Sequence, residues 1–227
     1  MGSGAGEIHS PAARGRELAR SGGYRIGPGD NLGAGSLKEK CRANFRAIEV
    51  LRAVEAERRE ATPEEQQTLV RYVGWGGLPQ VFATHEDKDW QAERPRLREL
   101  LTPEEYRSAQ ATTLNAHYTS PTVVSAMYEA VHRLGFTHGR VLEPSAGIGH
   151  FFGLMPEIMR ERSALTGIEI DSLTAGIARL LYPDANIRQQ GFEQSKLSND
   201  GFDLVISNVP FGQYKVFDPE FNRHNFL

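Results

Sequence analysis

Long apolar runs are missing from this sequence, and their absence limits what kind of protein it encodes. No stretch approaches the roughly 18 consecutive apolar residues of a membrane-spanning helix, and the N-terminus has no apolar segment of the secretory type. We therefore expect a soluble, cytoplasmic protein without a membrane partner.

The single cysteine, Cys41, cannot form an internal disulfide, and no cysteine and histidine cluster has metal-ligand spacing. Accordingly we expect no metal site.

An excess of charge is also missing. The net charge of −3 over 227 residues gives no general electrostatic attraction to nucleic acid. Any argument for DNA binding must therefore come from a local site. The composition, 39% hydrophobic and 24% charged, is that of a folded globular protein, which excludes a wholly disordered chain or a coiled coil. The length allows one domain with an attachment, or two small domains.

The sequence divides into three parts. Residues 1–36 are rich in Gly, Ser and Arg and are predicted to be a flexible tail. Residues 37–115 are predicted to be a helical segment, because apolar residues recur there at intervals of three and four. This segment has helix-capping sequences at Thr62 and Thr102 and a glycine-rich turn at 73–79. In that turn Trp75 is predicted to be a core residue rather than a platform for stacking bases.

Residues 116–227 alternate short apolar runs with helical stretches. A helix is predicted after Ser120 and Pro121. Strands are predicted at 140–142, 165–170, around 187 and at 202–207, with helices at 149–162 and 172–181. This order is typical of an α/β fold with a parallel sheet and right-handed crossovers. Ligands of such sheets bind at the carboxyl ends of the strands, so we expect the functional residues just after each apolar run.

The first candidate site follows the first predicted strand. Glu143 ends that strand, and Gly147 and Gly149 lie in the turn before the next helix, where backbone N–H groups can approach a ligand. A dinucleotide fingerprint requires a third glycine at position 152, where this chain has Phe152. The Glu143 carboxylate would repel a pyrophosphate but suits a ligand that carries an ammonium group.

The second candidate site ends the next predicted strand. Glu169 lies about 20 residues beyond Gly149, the spacing at which a carboxylate reaches the hydroxyl pair of a ribose. Ile170 could pack against an adenine face. An acid, a glycine-rich turn and a second acid on successive strands form the pattern of S-adenosylmethionine sites.

The third candidate site is Asn208-Val209-Pro210-Phe211, after the fourth predicted strand. The exocyclic amine of a base is a poor nucleophile and needs acceptors for its two protons. The side-chain oxygen of Asn208 and the carbonyl of Val209, fixed by Pro210, would supply these acceptors. Phe211 would stack on a base extruded from a duplex.

The Asn208–Phe211 tetrapeptide resembles the Asn-Pro-Pro-Tyr/Phe signature of amino-methyltransferases, the S-adenosylmethionine-dependent enzymes that include adenine-N6 DNA methyltransferases. The turn 143–149 resembles their cofactor loop. The segment 117–121 resembles the part that, in some members, cups the methionine carboxylate. Residues from 24 onward, including 72–79, are similar to the N-terminal part of very large methylase-helicase proteins of plasmids and phages.

The resemblance implies a fold, an activity and a set of site residues. The implied fold is a Rossmann-like methyltransferase core, truncated after its fourth strand and preceded by the helical segment. The implied activity is methyl transfer from S-adenosylmethionine to the N6 amine of a flipped adenine in duplex DNA, of the restriction-modification or mobile-element type. The implied catalytic residues are Asn208, Val209, Pro210 and Phe211. The implied cofactor-binding residues are Tyr118, Thr119, Glu143, Pro144, Ser145, Gly147, Gly149, Glu169, Ile170 and Phe192.

This chain departs from the family pattern in three places. Val209 replaces the usual first proline, a position that contributes only its backbone carbonyl. Gly191-Phe192-Glu193 stands where the family often has Asp-Phe, which leaves open whether Glu193 replaces the missing acid. The chain also reaches only the fourth strand of a longer sheet, so we expect a C-terminal methylase or helicase portion, or a partner chain, to complete it.

Two other functions remain open. The same tetrapeptide serves enzymes that methylate protein glutamine or the guanine N2 amine of ribosomal RNA. Alternatively, the chain is an inactive fragment or subunit that binds cofactor or a partner. A hydride-transferring enzyme is disfavoured by Phe152 and by the 208–211 segment.

Overall fold

A computed structural model describes residues 23–83, 88–114 and 118–209. Within these ranges the α-helices are α1 (Leu37–Glu57), α2 (Pro63–Leu69), α3 (Glu93–Leu100), α4 (Pro103–Ala111), α5 (Pro121–Arg133), α6 (His150–Leu154), α7 (Glu157–Arg160) and α8 (Ser172–Leu181). The strands are β1 (Arg140–Glu143), β2 (Ala164–Glu169), β3 (Asn186–Gln189) and β4 (Leu204–Val205). Short 3-10 turns lie between them at Pro28–Asp30, Pro79–Val81, Lys88–Trp90, Thr112–Leu114 and Phe192–Gln194. None of the helices in these ranges is long and apolar enough to cross a membrane.

The four strands form one parallel sheet in the order β3-β2-β1-β4. The α/β fold predicted from the sequence is therefore confirmed. The chain moves outward from β1 to β2 and β3, and then returns across the sheet to place β4 on the other side of β1. Because the strand order reverses between β1 and β4, this pair forms a topological switch point. At such a point a parallel sheet leaves a crevice at its carboxyl edge.

Most predicted helices are confirmed, and their capping residues explain where they begin. Thr62 and Thr102 each accept a hydrogen bond from the backbone three residues on, and the glutamate at that position bonds back to the threonine N–H. Ser120 caps α5 in a related way, through a hydrogen bond from the Val123 N–H. These sequence-local caps satisfy backbone donors that a helix start leaves unpaired.

One predicted helix is wrong in its length. The expected helix at 149–162 is two short helices, α6 and α7, separated at Met155 and Pro156. Proline disfavours the helical conformation of the residue before it, and Met155 accordingly has an extended ψ of 135°. The break turns the chain before it enters β2.

The helical segment and the sheet share a single hydrophobic core. Trp75 is 2% exposed, and its ring contacts those of Phe45, Tyr72 and Phe82. The prediction that Trp75 is a core residue is therefore confirmed. Helix α1 packs directly on α8, where a side chain at Gly176 would come within 3.1 Å of Leu51. Helices α1 and α2 thus pack on α8, the helix that connects β2 to β3.

Residues 23–36 do not behave as the predicted flexible tail. The Tyr24 N–H donates to the Leu181 carbonyl at 2.8 Å, and the Ile26 N–H donates to the Gly153 carbonyl at 3.1 Å. Arg160, which is 2% exposed, donates to the Tyr24 carbonyl. The prediction is therefore wrong for this stretch. Tyr24, Ile26 and Leu32 also pack against the core. A composition poor in apolar residues does not reveal these contacts with distant parts of the chain.

Candidate functional site

The carboxyl ends of β1, β2 and β4 lie side by side at one edge of the sheet. Glu143 at the end of β1 is in register with Gly167 of β2. On the other side, the Ile206 N–H beyond β4 donates to the Leu142 carbonyl at 3.0 Å. The chain therefore delivers Glu143, Glu169 and Asn208 from three neighbouring strands to the same edge.

Glu143 is a buried carboxyl group at this edge. It is 2% exposed, and its Oε2 has no hydrogen-bond partner among the described residues. Burial raises its pKa well above the usual range, and the nearby Glu169 raises it further. A buried carboxyl oxygen without a partner is costly, so this position favours a ligand that brings a cation or a hydrogen-bond donor.

The turn after β1 owes its shape to its two glycines. Gly147 and Gly149 have φ angles of 57° and 87°, a left-handed conformation that favours glycine. A side chain at Gly147 would come within 2.9 Å of the Tyr118 ring, and one at Gly149 would overlap the Tyr182 ring. Both glycines therefore let aromatic rings approach the turn. Pro144 and Ser145, which precede them, are partly exposed.

Glu169 is tied to this turn from the next strand. Its Oε2 accepts a hydrogen bond from the Gly147 N–H and its Oε1 accepts one from the Asp171 N–H, both at 2.8 Å. Burial raises the pKa of Glu169, and the backbone N–H groups of Asp171 and Gly147 oppose that rise. The two acids of the site thus differ: backbone donors fix Glu169, whereas Glu143 keeps an oxygen unpaired.

The helical segment forms one side of the site. Ser108 of α4 donates to the Asp171 carboxylate, which also caps α8 through Thr174. Gly74 lies against Tyr118, whose ring a side chain at position 74 would meet at 3.7 Å. Asn44, fully buried, holds this turn by donating to the Gly74 carbonyl and accepting from the Val73 N–H. Sequence reasoning missed Asn44, because a single asparagine within a helix carries no local signal of a distant partner.

His150 is a second residue that sequence reasoning missed. It is 6% exposed, its ring lies 4.5 Å from that of Tyr118, and neither ring nitrogen has a partner among the described residues. Burial lowers its pKa to about 4, so it is neutral near pH 7. Its position directly after Gly149, at the start of an otherwise apolar helix, was the available signal.

Two apolar side chains are exposed at the ends of neighbouring strands. Ile170 follows β2 and is 70% exposed, and Phe192 follows β3 and is 51% exposed. The Gln190 N–H donates to the Glu169 carbonyl, which extends the pairing of these strands to this point. Exposed apolar side chains on adjacent strand ends provide a surface for a flat ring.

Glu193 lies beside Gly191, the position where an acid was expected. A Cβ atom at Gly191 would overlap the carboxylate of Glu193. The carboxylate therefore occupies space that the side chain of any other residue at 191 would need. The structure thus places an acid at the end of β3 even though position 191 has no side chain.

The end of β4 carries the third candidate group. Asn208 donates through Nδ2 to Oγ1 of Thr119 at 3.0 Å, and both Asn208 and Val209 are exposed. Thr119 directly precedes the cap of α5, so the bond joins two of the sequence-predicted sites. Pro210, Phe211 and His117 lie outside the described residues. Within the described ranges there is no group of acids, histidines or cysteines suited to a metal ion.

Comparisons with known proteins give three similarities. No family model matches the chain. The chain is 28% identical over 172 residues to the "Defense against restriction protein B" of Escherichia phage P1, and the match covers 75% of this chain but 6% of that protein. The chain therefore spans only a small part of this relative's length.

Two solved structures are similar at 14% sequence identity. One is a putative class I S-adenosylmethionine-dependent methyltransferase from Listeria monocytogenes, with a TM-score of 0.40 over 78% of this chain and 61% of that chain. The other is a type I restriction-modification system methyltransferase subunit from Streptococcus thermophilus, with a TM-score of 0.43 over 89% of this chain and 48% of that chain.

Proposed function

We propose that this chain binds S-adenosylmethionine at the carboxyl edge of its sheet and transfers the methyl group to the N6 amine of adenine in DNA. The observation that carries the proposal is the buried, unpaired Oε2 of Glu143 beside the glycine turn. A ligand with an ammonium group satisfies that oxygen, and the methionine part of this cofactor carries one. When bound, the cofactor supplies an activated methyl group.

The neighbouring residues fit the rest of the cofactor. Glu169, fixed by two backbone donors, still has lone pairs on both oxygens for the hydroxyl groups of a ribose. Ile170 and Phe192 offer apolar surface to an adenine ring. The Glu193 carboxylate, which lies beside Gly191, would accept from the amine of that ring. We infer that it replaces the acid absent from position 191.

The substrate side of the proposal relies on Asn208 and Val209. An exocyclic amine conjugated to a ring needs two acceptors that draw its protons away and direct its lone pair at the methyl group. The pairing of β4 with β1 brings the chain at Asn208 to the sheet edge that carries Glu143. The Asn208 side-chain oxygen and the Val209 carbonyl would supply the two acceptors there. Adenine in a duplex must be flipped out of its stack to reach this edge.

The phage relative supports a DNA substrate. Its printed name refers to defence against restriction, and restriction acts on DNA. On this basis we propose a role in DNA modification and a longer protein, or a partner chain, that completes the sheet and grips the duplex. The chain as described contributes the cofactor half of such an enzyme.

The test combines two measurements. One is a calorimetric titration of the chain with S-adenosylmethionine, and the other is a tritiated-methyl transfer assay on adenine-containing DNA. Glu143→Gln should weaken cofactor binding by tenfold or more, since it replaces a charge-assisted bond with a neutral one. Asn208→Ala should abolish transfer while leaving cofactor affinity within a few fold. Loss of both properties in Asn208→Ala would contradict this division of roles.

Other outcomes would replace the proposal. Transfer to a glutamine peptide or to ribosomal RNA, but not to DNA, would reassign the substrate. Binding without any transfer would identify a cofactor-binding fragment or subunit. No cofactor binding by the unmodified chain would overturn the proposal as a whole.

The proposal also predicts a pH dependence. The pKa of Glu143 is raised, so at low pH the carboxyl group is protonated and cannot pair with an ammonium group. Cofactor affinity should therefore increase as pH rises from the acid side, until the α-amino group of the ligand begins to lose its own charge near pH ~8. Titration at several pH values should show this slope in the unmodified chain and a flatter one in Glu143→Gln.

A further inference from the structure

The hydrogen bond between Thr119 and Asn208 joins two segments that are 89 residues apart in the chain. Thr119 lies just before α5, and Asn208 follows β4. Nδ2 of Asn208 donates to Oγ1 of Thr119 at 3.0 Å. β4 lies beside β1 in the sheet, and this bond links the end of β4 to the start of α5.

This bond constrains the direction of the Asn208 amide. A primary amide has a donor end and an acceptor end on opposite sides of one carbon. With the NH₂ group held by the threonine hydroxyl, Oδ1 points away from Thr119. The two ends of the amide would otherwise be interchangeable by a rotation of the terminal torsion, which is broad for asparagine.

We infer that Thr119 is a positioning residue, which holds the Asn208 amide so that Oδ1 faces the substrate amine. The inference rests on the proposed function, since it assigns Oδ1 as the acceptor. The hydroxyl of Thr119 both accepts and donates, so while it accepts from Asn208 it retains a proton for a carboxylate of the bound cofactor. One hydroxyl would thereby link cofactor binding to the orientation of the substrate-binding amide.

Three variants test this role. Thr119→Val keeps the shape of the side chain but removes the acceptor, and Thr119→Ser keeps the acceptor. Thr122→Val, exposed on the first turn of α5, makes the same chemical change away from Asn208. The measurement is the single-turnover rate of methyl transfer at saturating S-adenosylmethionine, together with the calorimetric Kd for the cofactor.

We expect the rate at saturating cofactor to fall about tenfold in Thr119→Val, the size of one good hydrogen bond. Thr119→Ser should remain within about twofold of the unmodified chain, and Thr122→Val should not differ from it. If Thr119→Val weakens only the cofactor Kd and leaves the saturated rate intact, Thr119 serves the cofactor alone and the inference is wrong.

A second readout does not depend on transfer. The side-chain NH₂ resonances of Asn208 can be assigned in a ¹⁵N-labelled sample by their loss in Asn208→Ala. Thr119→Val should change their shifts and speed their exchange with water, and Thr119→Ser should restore both. Unchanged Asn208 resonances in Thr119→Val would overturn the inference. If the chain neither binds cofactor nor transfers methyl groups, the proposed function fails, while this spectrum still decides whether Thr119 holds the amide.

Discussion

The proposed cofactor side and the proposed substrate side of the site differ in how firmly the described residues hold them. At the ends of β1 and β2, Glu143 is buried and Glu169 is fixed by two backbone donors. At the end of β4, Asn208 and Val209 are exposed, and one side-chain bond to Thr119 orients Asn208. The strand lengths match this contrast, since β2 has six residues and β4 has two.

The difference shows which part of the site this stretch of sequence can preorganise. Preorganised groups spend no free energy on reorientation when a ligand arrives. The proposed cofactor side is therefore the more preorganised of the two, because the helical segment, the glycine turn and two strands meet there. On the proposed substrate side, the described residues provide one side-chain hydrogen bond, from Asn208 to Thr119. Four changes would weaken or sharpen this contrast, and we take them in order of expected effect.

The largest effect is expected from removing Trp75, whose ring contacts three other aromatic rings in the core. Trp75→Ala should lower the free energy of unfolding by about 4 kcal/mol, because a buried aromatic leaves a large cavity. Phe192→Ala, which removes a half-exposed aromatic side chain, should change it by less than about 0.5 kcal/mol. Urea unfolding followed by circular dichroism measures both. Two separate transitions in the unmodified chain would contradict a single core shared by the helical segment and the sheet.

The next effect concerns the turn that carries the cofactor side. Gly149→Ala should cost about 3 kcal/mol, since it adds backbone strain to a clash with the Tyr182 ring. Gly77→Ala has a similar φ of 76° but meets no atom within 4 Å, so strain alone should cost about 1 kcal/mol. Because both variants carry the backbone strain, the difference between their urea midpoints measures the cost of the clash with the Tyr182 ring. Equal losses of unfolding free energy in the two variants would mean that the Tyr182 ring moves aside without a free-energy cost.

The third effect is a pH dependence that arises from His150. Its folded-state pKa is lowered to about 4, so the folded chain resists protonation. The resulting stability is complete above pH 6.5 and is lost as pH falls from 6.5 toward 4, with a total on the order of 3 kcal/mol. His150→Leu should remove this part of the acid sensitivity, which thermal melts between pH 7 and 4 can follow.

His132→Leu, exposed on α5, is the matched control and should retain the acid sensitivity of the unmodified chain. If His150→Leu melts with the same pH dependence as the unmodified chain, the imidazole is not held neutral by burial.

The smallest effect is expected at the attachment of β4. Arg140 holds the pKa of Asp203 down to about 2 through a side-chain and a backbone hydrogen bond. The stabilisation of the folded state by this ionised carboxylate is present above pH ~4 and is lost as pH falls toward 2. Asp203→Asn should therefore slightly lower the melting temperature at pH 7, an effect that salt should weaken. Asp200→Asn, also exposed, should leave it unchanged.

Many elements of the fold could be predicted because their signals are local. The Thr62, Thr102 and Ser120 caps, the apolar spacing of α1 and the four strand positions all lie within a few neighbouring residues. Gly147 and Gly149 were likewise predicted to lie in the turn after β1, and both have left-handed φ angles there. The residues of α8 were predicted with the bounds that the structure has.

Other features were missed because their partners are distant in the chain. Asn44 bonds to a turn 30 residues away, and Arg160 to a carbonyl 136 residues away. Gly149 was expected to give access to a ligand, whereas in the structure the Tyr182 ring fills the space beside it. Position 191 is a glycine, and only the fold of the turn after β3 shows that the carboxylate of Glu193 lies beside it.

The sequence by itself determined the order of elements, the parallel α/β class and the residue types at each strand end. These depend on periodicity, capping and turn chemistry, which act over a few residues. Only the tertiary structure decided which of the two acids is tethered, where the Glu193 carboxylate lies, and that residues 23–36 pack on the core. Those outcomes depend on burial and on bonds between remote segments, whose free energies exist only once the strands and helices have come together.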